Sequence, residues 1–131
     1  KGFIESQLLI SEEKITEFLN EFKYLFKLHK PSITLFSFKN MSGEQKFLRF
    51  EDNKICVTID YINDKKNKIF MEEIDKICIK LKILPSIIKD SRLSRNVFEK
   101  CYQYADNFRR ELYLFDKNRV YKSETSHRLE L

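Results

Sequence analysis

The apolar residues of this chain switch between a period of two and a period near 3.6 in one fixed order, and that order restricts the folds open to it. Residues 3–10 alternate as a strand does, with Phe3, Glu5, Gln7 and Leu9 on one side and Ile4, Ser6, Leu8 and Ile10 on the other. Ser11 follows as an N-cap, with Glu12 and Glu13 in a first turn whose dipole favours acids. Ile15, Phe18, Leu19, Phe22, Leu25 and Phe26 then recur at helical spacing, and Pro31 requires the helix to stop before it. The stretch 32–39 is β-branched and aromatic and predicts a second strand. Asn40 to Asn53 is polar, contains Gly43 and predicts a loop.

Ile55, Val57, Ile59 and Tyr61 alternate with Cys56, Thr58 and Asp60, so the third strand has one apolar and one polar side. Residues 63–67 predict a charged turn, and Phe70, Ile74, Ile77, Cys78 and Leu81 a second helix. A fourth strand is expected at 86–89, just beyond Pro85. Ser91 or Ser94 caps a third helix whose apolar stripe runs from Val97 and Phe98 through Cys101, Tyr102, Ala105 and Phe108 to Leu112. The tail from Asp116 is polar and is expected to dock elsewhere. The sum is a single α+β domain over residues 1–131 in the order β-α-β-β-α-β. That is the ferredoxin-like arrangement, an antiparallel sheet with helices on one face, plus a long C-terminal helix and tail.

Only two glycines occur, Gly2 and Gly43. A phosphate-cradling loop needs glycine so that backbone N–H groups can approach the anion, and no such loop exists here. A nucleotide cofactor would therefore have to be held mainly by another segment. The net charge of +5 comes from lysines scattered along the chain, which describes a solvated surface. Cys56, Cys78 and Cys101 are far apart and odd in number, which fits neither a zinc site nor a disulfide framework and suits a reducing cytoplasm. No signal peptide or membrane span is expected.

The chemistry has to come from what a one-sided sheet leaves free. Glu5 and Gln7 share one side of the first strand, and Cys56, Thr58 and Asp60 one side of the third. Lys39 ends the second strand and Lys89 the fourth, so coincidence of these sides would give a polar surface with two lysines above it. No HExxH, no carboxylate pair with a clear role and no metal cluster stands out, and neither His29 nor His127 has a triad context. The tract Lys89-Asp90-Ser91-Arg92 places an ammonium at the mouth of a loop, where it can bind an oxyanion or a hydroxyl.

From that tract onward the chain resembles a family. Lys89-Asp90-Ser91-Arg92, Val97-Phe98, Cys101-Tyr102, Phe108-Arg109, Leu114-Phe115-Asp116 and the ending Ser123 through His127-Arg128-Leu129 are similar to the C-terminus of the decaprenylphosphoryl-β-D-ribose oxidase-like enzymes. Those are FAD-linked members of the vanillyl-alcohol-oxidase-type flavoproteins. Upstream, Gly2-Phe3-Ile4-Glu5-Ser6-Gln7, Phe38-Lys39 and Val57-Thr58-Ile59-Asp60-Tyr61 resemble three of the family's strands. Asn53-Lys54 departs from the family's Gly-Trp, Ile62 and Lys117 from its prolines, Glu124 from its Asp and His127 from its Arg. Gln103 stands where a proline is common, so the third helix is expected to run through.

The resemblance implies a substrate domain whose FAD is held chiefly by an N-terminal FAD-binding domain outside this chain. It implies oxidation of a secondary alcohol on a sugar or sugar-lipid, with a hydride passing to flavin N5. Lys89 would be the catalytic cation, or a base if neutral, and would touch the flavin with Thr58. Gln7, Lys39 and Thr58 would contact substrate. The implied partners are the FAD-binding domain, the sugar or sugar-lipid and a short-chain reductase acting on the keto product, with no nucleic acid expected. The implied location is the cytoplasm, at the inner face of the membrane. The alternative, from fold order and basic charge, is a nucleic-acid-binding or regulatory ferredoxin-like module. RNA-recognition domains of that order need stacking aromatics on their central strands, and the polar side of the third strand offers none.

Overall fold

A computed structural model describes residues 2–44, 47, 48, 50 and 53–131; the rest of the loop expected between Asn40 and Asn53 lies outside the described residues. The chain is α+β. Strand β1 (Phe3–Ile10) leads into helix α1 (Glu12–His29), then β2 (Ile33–Met41), β3 (Lys54–Ile62), helix α2 (Lys65–Leu81) and a two-residue β4 (Leu84–Pro85). Helices α3 (Arg95–Cys101), α4 (Ala105–Phe115) and α5 (Glu124–Leu129) follow. The four strands form one antiparallel sheet in the order β2-β3-β1-β4.

Register fixes the two faces. Ile4, Ser6, Leu8 and Ile10 lie opposite Tyr61, Ile59, Val57 and Ile55, and because strand side chains alternate, these residues share one face. Leu8, Val57, Ile59 and Tyr61 form one buried cluster with Phe18, Phe22 and Leu25 of α1 and Phe70, Ile74 and Ile77 of α2. Phe22 is the aromatic hub, its ring 4.9 Å from Phe36 and 5.6 Å edge-on from Phe70. The helices thus cover one face of the sheet and leave the other to carry the polar alternation.

Several expectations need correcting. Helix α2 starts at Lys65, inside the expected turn, because Asp64 caps it by accepting from Asn67 N at 2.8 Å. Asn67 is fully buried there. Its amide accepts from Ser32 N and donates to Ser32 O and Ile62 O, tying the start of β2 to the end of β3. Strand β4 is Leu84–Pro85, not 86–89. Ser86 N still donates to Gln7 O, but the Ser86 hydroxyl accepts from Lys89 N at 3.3 Å and turns the chain off the ladder. Lys39 likewise does not end β2, which continues to Met41.

The expected long third helix is two helices. Ser94, not Ser91, caps α3, and the backbone leaves helical angles at Tyr102. The Tyr102 hydroxyl donates to Pro85 O at 2.7 Å in a buried bond, so the break is anchored to β4 even though no proline stands at 103. The tail also docks on this chain. Ser123 and Ser126 form a reciprocal cap for α5, Leu129 is fully buried in the common core, and Arg109 donates to Leu129 O and Glu130 O.

Candidate functional site

The second face of the sheet is built in rows. Glu5 of β1 stands opposite Asp60 of β3, which stands opposite Leu35 of β2; the next row is Gln7, Thr58 and Ser37; the third is Leu9, Cys56 and Lys39. Opposed side chains in such a sheet have Cβ atoms about 4.5–5.5 Å apart. The expected polar sides of the first and third strands therefore coincide, and Gln7, Thr58 and Lys39 share one surface. Thr58 is buried among its neighbours, whereas Lys39 is exposed on the edge strand.

Lys89 reaches the same face from the turn after β4. Its Nζ lies 3.5 Å from Glu5 Oε2, while Glu5 Oε1 accepts from Gln7 Nε2 at 2.7 Å. Glu5 thus joins two of the expected site residues. The Lys89 side chain is half exposed, and an ion pair this long and this wet is worth about 0–1 kcal/mol, so the ammonium can leave Glu5 for a ligand oxygen. Lys39 and Lys89 occupy opposite corners: the Glu5 and Lys39 rows are four residues apart, about 14 Å along the strands. Their long side chains bracket the short Gln7–Thr58–Ser37 row between them.

What fixes Lys89 there is its neighbour. Asp90 is fully buried and accepts from the Ser6 hydroxyl at 3.2 Å on the helix-covered face. Consecutive residues of the turn, Lys89 and Asp90, thereby meet consecutive residues of β1, Glu5 and Ser6, on opposite faces of the sheet. Arg92 closes the arrangement with Nη2 3.1 Å from Asp90 Oδ2 and two bonds to Asp75 at 2.6 and 2.9 Å. Burial pushes the Asp90 carboxyl above its ordinary value, and the Arg92 charge only partly offsets this. Arg128 of α5 adds bonds to Ser91 O and Asp90 O. Asp90 and Arg92 are therefore structural, and Lys89 alone of the tract faces outward to the site.

Cys56 sits in the third row with its Sγ 4.0 Å from Thr58 Oγ1. Burial raises its thiol pKa, so it is not poised as a thiolate. Cys78 and Cys101 are buried on helices, with the Cys101 thiol pushed up to about 11 by burial. A cavity of about 590 Å³ is lined by Phe47, Lys54, Lys82, Leu84, Tyr102 and Tyr104. It contains none of the four expected site residues; the polar face is the better candidate because it holds them, although the chain itself buries Leu9, Cys56 and Thr58 there.

The row Glu5–Asp60 escaped sequence reading, since it needs the β1–β3 register to bring two separate carboxylates side by side. The face can donate through Gln7, Thr58, Ser37 and the two lysines, and accept through two carboxylates, which suits a ligand rich in hydroxyl groups. Among the described residues no group of three or more His, Cys, Asp or Glu is placed to hold a metal ion, and no helix is long and apolar enough to cross a membrane. Compared with known proteins, the chain matches no family model and no curated protein.

Proposed function

We propose that this chain is the substrate domain of an FAD-linked oxidoreductase that oxidises a secondary alcohol of a sugar or sugar-lipid. The observation that carries the reading is the meeting of Gln7, Thr58 and Lys39 on one sheet face with Lys89 at its rim. These are the residues that the family resemblance marks, and they come from four separate stretches of sequence. The fold assignment is ferredoxin-like; the order β2-β3-β1-β4 and the α1 and α2 connections between strands support it.

FAD would be held chiefly by a separate FAD-binding domain, since the chain has no glycine-rich phosphate loop. Gln7 and Ser37 are partly exposed on either side of the buried Thr58, so a ring would meet this row at those two members, and Lys89 could meet an oxygen at that ring's edge. The chemistry that a flavin would supply here, when bound, is the two-electron oxidation, as acceptor of the carbinol hydride at N5. The chain's own contribution is orientation and charge: Lys89 as a cation beside developing negative charge, Gln7 and Lys39 on sugar oxygens, Thr58 against the ring and substrate. A partner domain would also cover apolar surface that this chain leaves open, such as Phe115 and Tyr121, whose rings stack 6.4 Å apart in solvent. With a lipid-linked sugar, the work would be done in the cytoplasm at the inner face of the membrane, and a short-chain reductase would take the keto product.

The rival RNA-binding reading has one exposed ring in its favour, Phe3 on the Glu5 side of β1, but the same face of β3 carries Cys56, Thr58, Asp60 and Ile62 and adds no second ring for a base. The test is direct. The product of the complete gene, purified without added cofactor, is expected to be yellow and to release about one FAD per chain on denaturation. A colourless protein that takes up no flavin contradicts the reading.

A further inference from the structure

We propose that the carboxylate of Glu5 is the group that accepts the hydroxyl proton of the alcohol. This deepens the oxidoreductase reading and rests on it. An alcohol becomes a ketone by losing two things: the carbinol hydrogen with its bonding pair, and the hydroxyl proton. A bound flavin would be the oxidant for the first, so that the C–H pair would leave with the hydride and the O–H pair would become the second bond of the carbonyl. The proton needs a base on the protein, which later returns it to water.

The face offers few bases. An ammonium such as that of Lys89 is a donor with no acceptor site, and here it is already turned toward a carboxylate, 3.5 Å from Glu5 Oε2. Gln7, Thr58 and Ser37 can accept a hydrogen bond but cannot keep a proton near neutral pH. The Cys56 thiol is buried and bonded only to Thr58. That leaves the two opposed carboxylates, Glu5 and Asp60.

Geometry favours Glu5. Its carboxylate is held by Gln7 through Oε1 and by Lys89 through Oε2, so it sits between the residues proposed to hold the sugar and the one proposed to meet the developing charge. Each carboxylate oxygen has two acceptor sites, and one on each stays open after these contacts. The side chain is about one-third exposed, at 32%, so it can reach a bound hydroxyl and later pass the proton to solvent.

The experiment uses the complete flavoprotein for kinetics and this 131-residue chain for structure. In anaerobic stopped-flow with the alcohol that reduces the wild-type flavin, Glu5→Gln is expected to slow the limiting rate of reduction by about 100-fold or more, the range of a lost general base. Glu5→Asp is expected to fall between, and the Gln variant to keep its FAD. In the isolated chain, the Gln7 side-chain amide resonance is expected to move when Glu5 is changed to Ala, which reads the Glu5–Gln7 bond without flavin. A yellow protein whose Glu5→Gln variant reduces its flavin at the wild-type rate overturns the proposal and leaves the oxidoreductase reading standing. So does a large loss in Asp60→Asn beside a small one in Glu5→Gln, or a Gln7 resonance indifferent to Glu5. A complete protein without flavin overturns both.

Discussion

At the scale of single residues, Tyr61, Arg92 and Arg128 each bury a polar atom without a partner among the described residues, and the Tyr61 hydroxyl does so inside the apolar core. Tyr61 is fully buried on the helix-covered face, where burial raises its pKa, and its hydroxyl has no hydrogen-bond partner. A buried donor left unsatisfied costs about 1–3 kcal/mol. Tyr61→Phe removes the hydroxyl and keeps the ring against Phe70, 6.0 Å away between centroids. Urea unfolding of the variant is expected to give equal or higher stability, by up to about 2 kcal/mol. A loss beyond about 1 kcal/mol would mean that the hydroxyl is satisfied by something buried beside it. Of the Lys89-Asp90-Ser91-Arg92 tract, Asp90 and Arg92 turn inward to Ser6 and Asp75, which fixes where Lys89 stands. Nothing in a linear reading says which side of β1 each neighbour takes.

At the scale of elements, strands and helices with long periodic stretches were legible, and short pieces held by tertiary bonds were not. β1 spans the residues its alternation predicts, and α1 stops ahead of Pro31 as the proline requires. The two-residue β4, the break at Tyr102 and the start of α2 at Lys65 each depend on one side chain bonding to a distant or capping partner. The loop after α4 is of the same kind. Asp116 accepts from Val120 N and Tyr121 N, both at 2.8 Å, and these bonds hold its carboxyl below the ordinary 3.8. A carboxyl lowered in the folded state adds stability that is complete above its unfolded value and is lost as pH falls through the folded one. Asp116→Asn is therefore expected to melt below wild type at neutral pH, with the gap closing as pH is lowered beneath 3.8. A gap that stays constant down to the acid end contradicts the bonding described.

At the scale of the whole molecule, one sheet divides the labour. One face is sealed by α1 and α2 over Leu8, Val57, Ile59 and Tyr61; the other gathers Glu5, Gln7, Thr58, Asp60 and Lys39 in register, with Lys89 coming over from the far edge. Alternation in the sequence foretold two unlike faces and named most of the polar members. It could not foretell the rows, because register is set by pairing between strands about 50 residues apart. Nor could it show that Glu5 is where Gln7 and Lys89 meet. The account stands on Lys89 serving that face, not the loop that carries it. On the proposed function, the measurement that tests this most directly is anaerobic reduction of the proposed flavin by an alcohol substrate in the full-length protein, for wild type and Lys89→Ala. The account predicts that the variant keeps its FAD and its melting temperature within a few degrees while flavin reduction falls by at least about 100-fold; reduction at the wild-type rate in a folded, FAD-loaded Lys89→Ala protein would contradict it.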